Sequence, residues 1–171
     1  MIEDNYDESK KIRLSVSKAK TYLSCAKQYN FNYVQRIPQK DQGHLTFGRF
    51  CHLALENFHI AYINKSTLSH GKQMQISFKS ALENPEFLDK ITPEMKSEAK
   101  TIMSQYIQFL RGETPNVLAV EDKFAQEVND NRITVTMNGL IDRIDLDSDG
   151  IYHVKDYKTN KDSKYLKGDW F

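Results

Sequence analysis

The chain has 171 residues, of which 39% are hydrophobic and 27% charged, enough apolar mass for one core and too much for wholesale disorder. No stretch approaches the ~18 apolar residues of a membrane span, the acidic start from Met1 to Ser9 lacks the apolar run of a signal peptide, and two cysteines cannot build a disulfide framework or a four-thiolate centre. The expectation is a cytoplasmic protein with reduced thiols and no membrane partner. The net charge is only +1 but is unevenly spread: Ser9 to Arg49 holds nine basic residues against Asp41, whereas Glu83 to Asp149 holds fourteen acids against seven bases. A basic end beside an acidic middle points to a polyanion partner or to a solvated helical face.

Residues 1–13 read as a polar tail. Ser15 or Ser17 caps a helix that reaches Cys25 or beyond, with Val16, Ala19, Tyr22, Leu23 and Ala26 at helical spacing. The aromatics that follow among the lysines (Tyr22, Tyr29, Phe31, Tyr33) fit base stacking or the apolar face of a helix. Ile37 to Gly43 is a loop around Pro38. A second helix runs from Phe47 to Ile63 on the stripe Phe47, Phe50, Cys51, Ala54, Leu55 and Phe58. A third covers Gln73 to Glu83. Thr92-Pro93 opens a fourth, which ends near Arg111 before Gly112.

Beyond Pro115 the pattern changes period. Val117 to Val128 mixes β-formers with charges, and Ile133, Val135 and Met137 alternate with Thr134 and Thr136 as in a strand. Asp147-Ser148-Asp149-Gly150 is a turn into a further strand, Ile151 to Tyr157. The domain is therefore expected to span residues 14–171, mainly helical over 14–112 and a β-meander over 116–160.

The densest chemistry lies from Asn138 to Thr159. Residues two apart on a strand share a face, so Asp156 and Lys158 point the same way and Asp142 shares a face with Ile144. A hairpin through Gly150 sets the strands side by side, so Asp142 and Asp156 converge. Two hard carboxylates with an ammonium beside them suit Mg²⁺ or Mn²⁺ and a phosphate oxygen. Asp145-x-Asp147-x-Asp149-Gly150 followed by Asp156 also has the spacing of a calcium loop, but that loop needs a helix on each side and strands are expected here.

At these residues the sequence resembles the PD-(D/E)XK nuclease superfamily, in particular its RecB-like branch. Gly139-Leu140-Ile141-Asp142-Arg143-Ile144-Asp145 is similar to that branch's second motif and Val154-Lys155-Asp156-Tyr157-Lys158-Thr159 to its third. Phe47-Gly48-Arg49-Phe50-Cys51-His52-Leu53-Ala54-Leu55-Glu56 resembles the first, and Leu14 to Val34 resembles the opening segment. The resemblance implies an α/β fold with a restriction-endonuclease-like mixed β-sheet flanked by helices. It implies His52, Asp142 and Asp156 as metal ligands, with Lys158, Asp142 and Asp156 catalytic. Glu121 is either an accessory carboxylate or a surface strand acid.

Two departures qualify the expectation. The branch continues after its third motif into a helix with a Gln-x-x-x-Tyr signature that Lys161 to Phe171, despite Tyr165, does not match, which implies a core incomplete at the C-terminus. Some members hold an iron–sulfur cluster; only Cys25 matches a ligand position, so no cluster is expected, and Cys51 reads as a small buried hydrophobe. The implied activity is a divalent-metal-dependent deoxyribonuclease, an exonuclease acting through a metal-activated water. Lys18, Lys20, Lys27, Arg36 and Arg49 would bind DNA. The rival reading is a truncated DNA- or protein-binding fragment that does not cut. Recombinational repair, phage DNA processing and CRISPR adaptation all use this branch, so the sequence does not name the pathway; the partners the resemblance implies are DNA and, beside it, a helicase or a recombination or CRISPR-adaptation protein.

Overall fold

The computed structural model describes residues 12–38, 43–129 and 133–159. The expected tail up to residue 11, Lys40, Asp41 and residues 160–171, with Tyr165, lie outside them. The described residues fall into two compact units, one within residues 12–38 and 123–140, the other within residues 43–122 and 141–159.

In the first unit, β1 (Ile12–Leu14) occupies the end of the expected tail. Ser15 then caps α1 (Val16–Ser24), its Oγ accepting from the Lys18 amide at 3.3 Å. Cys25 is extended, at φ −159°, and breaks the helix; its Sγ accepts from the Gln28 amide at 3.4 Å and starts α2 (Ala26–Tyr29). A π-helical turn follows over Asn30–Val34. The break at Cys25 stops the apolar positions from forming one continuous stripe, and no residue from Ile12 to Pro38 is buried. The aromatics here are therefore not core: Tyr22 is 58% exposed, and the Tyr22, Tyr29 and Tyr33 rings contact one another in sequence at 5.4 and 5.2 Å.

The two long strands are β2 (Val117–Asn129) and β3 (Thr134–Leu146). Gly139 on β3 has a steric reason: a Cβ there would lie 2.5 Å from Cε1 of Phe124 on β2. β1 pairs parallel with β3, Ile12 opposite Val135 and Leu14 opposite Met137.

In the second unit, α3 (Gly43–Ile63), α4 (His70–Leu82) and α5 (Pro93–Phe109) supply the core. Phe50, Cys51, Ala54 and Phe58 of α3 are fully buried, and the Phe50 ring meets Phe78 and Phe87 edge-on at 5.2 and 5.7 Å. Burial pushes the Cys51 thiol up to about 12, with Glu98 adding to the shift, so it packs as a small protonated hydrophobe. Thr92 caps α5, its Oγ1 accepting from the Met95 amide at 3.3 Å, and Gly112 at φ 82° follows the helix.

β4 (Tyr152–Lys155) pairs antiparallel with the last part of β3, from Arg143 opposite Lys155 to Leu146 opposite Tyr152. The sheet order is β1-β3-β2, with β4 also on β3. The architecture is thus mixed α/β, with the helices mostly N-terminal, as the sequence leads one to expect.

Candidate metal centre

The centre is built on α3. His52 lies one turn beyond Gly48, on the same helix face. The segment after β4 passes over both: Thr159 Oγ1 would lie 3.4 Å from a Cβ at position 48, and the Tyr157 carbonyl accepts from His52 Nε2 at 3.2 Å. That hydrogen bond makes Nε2 the donor, so that in the neutral ring Nδ1 is the nitrogen with the free lone pair. Nδ1 faces Asp142 Oδ1 at 3.6 Å, a gap too long for a hydrogen bond. The other oxygen, Asp142 Oδ2, accepts from the Tyr157 amide at 2.6 Å.

Glu121 completes the cluster from β2. Its φ of 48° puts a non-glycine residue in the left-handed region inside a strand. Such a residue costs about 1–2 kcal/mol and breaks the alternation that otherwise decides which way a strand side chain points. Ligand-type atoms of His52, Glu121 and Asp142 all lie within 4.8 Å of one another. The cost shows at Glu121, whose carboxyl is held above its usual range by burial first, then by Asp142 and Glu56, while His52 acts the other way. Burial also raises Glu56. Two carboxylates and an imidazole converging in this way fit a hard divalent cation.

The remaining expected residues have other partners. Asp156 is not part of the cluster among the described residues. Ladder pairing with β3 ends at Lys155, and Asp156, exposed, forms an ion pair with Lys158. Lys18, Lys20, Lys27 and Arg36 belong to the first unit, with Lys18 Nζ 5.7 Å from the Tyr33 ring centroid and Lys27 Nζ 5.7 Å from that of Phe31. Arg49 is exposed and pairs with Glu86 at 3.1 Å. Asp147 serves the hairpin turn: Oδ1 accepts from the amides of Asp149 and Ile151, both at 2.9 Å, and Oδ2 contacts His153 Nε2 at 2.8 Å. Strands flank that turn, so the calcium-loop geometry is absent.

Beside the cluster lies a buried polar network. Arg143 is 5% exposed; its Nη2 donates to Asp145 Oδ2 at 2.8 Å, and its Nη1 contacts His59 Nε2 at 2.8 Å, Tyr157 Oη at 3.1 Å and Tyr106 Oη. Burial alone would lower the Arg143 pKa, but Tyr157, Tyr106 and Asp145 outweigh it and the group stays firmly cationic. Burial, then Arg143 and His70, press His59 down to about 3, so it is neutral. Motif spacing does not expose this network. Two signals point to it in retrospect: Arg143 and Asp145 share a strand face, and His52, Glu56 and His59 recur at helical intervals along α3.

A mixed α/β fold with a histidine and two carboxylates gathered on a helix and two strands has the form of a metal-dependent, restriction-endonuclease-like protein. The chain belongs to the PD-(D/E)XK nuclease superfamily, whose family profile matches residues 13–169. No curated protein shows a significant match.

Proposed function

We propose that the chain is a cytoplasmic, RecB-like deoxyribonuclease, dependent on Mg²⁺ or Mn²⁺ and cutting DNA from an end. The observation that carries this reading is the convergence of His52, Glu121 and Asp142 within 4.8 Å in a member of a nuclease superfamily. His52 through Nδ1, Asp142 through Oδ1 and the Glu121 carboxylate would hold the cation, with Asp156 as a further ligand. The bound cation supplies an activated water and positive charge for the phosphate. Lys158 offers an ammonium that donates to a non-bridging phosphate oxygen as charge develops there. Lys18, Lys20, Lys27, Arg36 and Arg49 contribute salt-sensitive contacts to the DNA backbone.

The test is Mn²⁺-dependent cleavage of end-labelled single- and double-stranded DNA, with closed circular DNA as the end-free control. The wild type is expected to cut the linear substrates and spare the circle. Asp142→Asn and Lys158→Ala are each expected to lose roughly 10²-fold or more. A second reading, a DNA- or protein-binding module that does not cut, draws support from Asp156 and Lys158, which are paired with each other. A folded wild type that binds Mn²⁺ and DNA yet leaves every substrate intact would favour it.

A further inference from the structure

We infer that Tyr157 is the positioning residue of the centre: its main chain clamps His52 and Asp142 together, and its side chain ties that clamp to the buried Arg143 network. The inference rests on the proposal that His52 and Asp142 are metal ligands.

One peptide segment makes both clamping contacts. The Tyr157 amide donates to Asp142 Oδ2 at 2.6 Å and its carbonyl accepts from His52 Nε2 at 3.2 Å. The first leaves Asp142 Oδ1 for a cation; the second selects the tautomer that leaves His52 Nδ1 for the same cation. A main-chain clamp is only as well placed as the residue that bears it. Here the surroundings are weak anchors, since all four residues of β4 are exposed, as are Asp156 and Lys158. Tyr157 is the exception. Its ring packs against the core and edge-on to His52 and Tyr106 at 5.9 and 6.1 Å, and its hydroxyl accepts from Arg143 Nη1 at 3.1 Å. Arg143 is in turn fixed by Asp145, His59 and Tyr106. Tyr157 thus links a buried, hydrogen-bonded set of polar groups to an exposed segment that also carries Asp156 and Lys158.

The test compares full-length Tyr157→Phe, Tyr157→Ala, Asp142→Asn and Phe78→Leu with the wild type, using Mn²⁺ titration by electron paramagnetic resonance and histidine side-chain nitrogen spectra of the metal-free protein. Tyr157→Phe keeps the ring and loses the Arg143 tie; Tyr157→Ala loses both. The expected Mn²⁺ Kd rises about 10-fold for Phe and toward 100-fold for Ala, the range found when a group supporting a metal ligand is removed. In the metal-free Tyr157→Ala protein, His52 is expected to lose its fixed Nε2–H tautomer. Phe78→Leu, a core change on α4, should lower stability and leave both readouts unchanged, which separates positioning from general loosening. If Asp142→Asn weakens Mn²⁺ binding while Tyr157→Phe and Tyr157→Ala bind like the wild type, the inference is overturned and the metal site stands. If Asp142→Asn binds Mn²⁺ normally, the metal site itself fails and the inference falls with it. Should Tyr157→Ala not fold, the Phe variant decides, because it alters one oxygen.

Discussion

Replacing Arg143 by Met should be among the most destabilising single changes in the second unit. Asp145 is 9% exposed, its Oδ2 takes the Arg143 Nη2 hydrogen bond at 2.8 Å, and its Oδ1 has no hydrogen-bond partner among the described residues. Without Arg143 the buried carboxylate keeps neither a counter-charge nor a side-chain donor among the described residues. Breaking a buried pair from one side costs about 3–5 kcal/mol, whereas replacing both partners with apolar side chains of similar volume is often neutral. Urea unfolding at pH 7 should therefore show Arg143→Met losing about 3–5 kcal/mol and Arg143→Met/Asp145→Leu recovering most of that loss. The recovery need not be complete, because Arg143 Nη1 also satisfies His59, Tyr106 and Tyr157. A single-variant loss below about 1 kcal/mol, the range of exposed pairs, would show that water reaches Asp145 and would refute the burial argument.

Three further outcomes follow from the geometry. His59 has its folded pKa pressed from 6.5 to about 3, so the stabilisation tied to its neutral form is fully present above pH 6.5 and is lost as the pH falls toward 3; the stability gap between wild type and His59→Gln should narrow across that window, and parallel urea midpoints would contradict it. Glu121→Asn places a side chain that tolerates left-handed backbone at φ 48° and removes a crowded carboxylate, so the metal-free protein should gain up to about 1 kcal/mol while Mn²⁺ binding weakens; calorimetry showing both properties unchanged would remove Glu121 from the centre. Gly139→Ala drives a methyl into the Phe124 ring and should cost about 1–3 kcal/mol, most of it regained by adding Phe124→Ala; failure of that rescue in thermal melts would mean the clash is not the cause.

Local chemistry made much of this structure legible in advance. Ser15 and Thr92 cap helices where they were expected to, because a β-region residue with a side-chain acceptor has few better places to sit. The hairpin through Gly150 follows from its φ of 80° and the Asp147 side chain folded back on the turn. The site was legible as far as residue types and order, which brought His52 and Asp142 into view. Glu121 came into view only as an accessory carboxylate or a surface strand acid, because strand alternation cannot announce one left-handed residue. The arginine and aspartate inside β3 were not legible, because they occupy a face that periodicity assigns to apolar side chains. Of the two readings of the aromatics between Tyr22 and Tyr33, the apolar helix face fails for the opposite reason: helical spacing suits a core only if the helix continues, and Cys25 interrupts it.

The Tyr157 link also couples ligand binding to unfolding. Its ring belongs to the core while its amide and carbonyl belong to the centre, so the segment from Tyr152 to Thr159 cannot peel away without releasing His52 and Asp142. Under the metal-site proposal, a cation bound to the folded chain alone stabilises it by mass action, about 2.7 kcal/mol at a hundred times its Kd. For this chain a chelator would then be a mild denaturant, and protease nicking next to β4 would report how full the centre is.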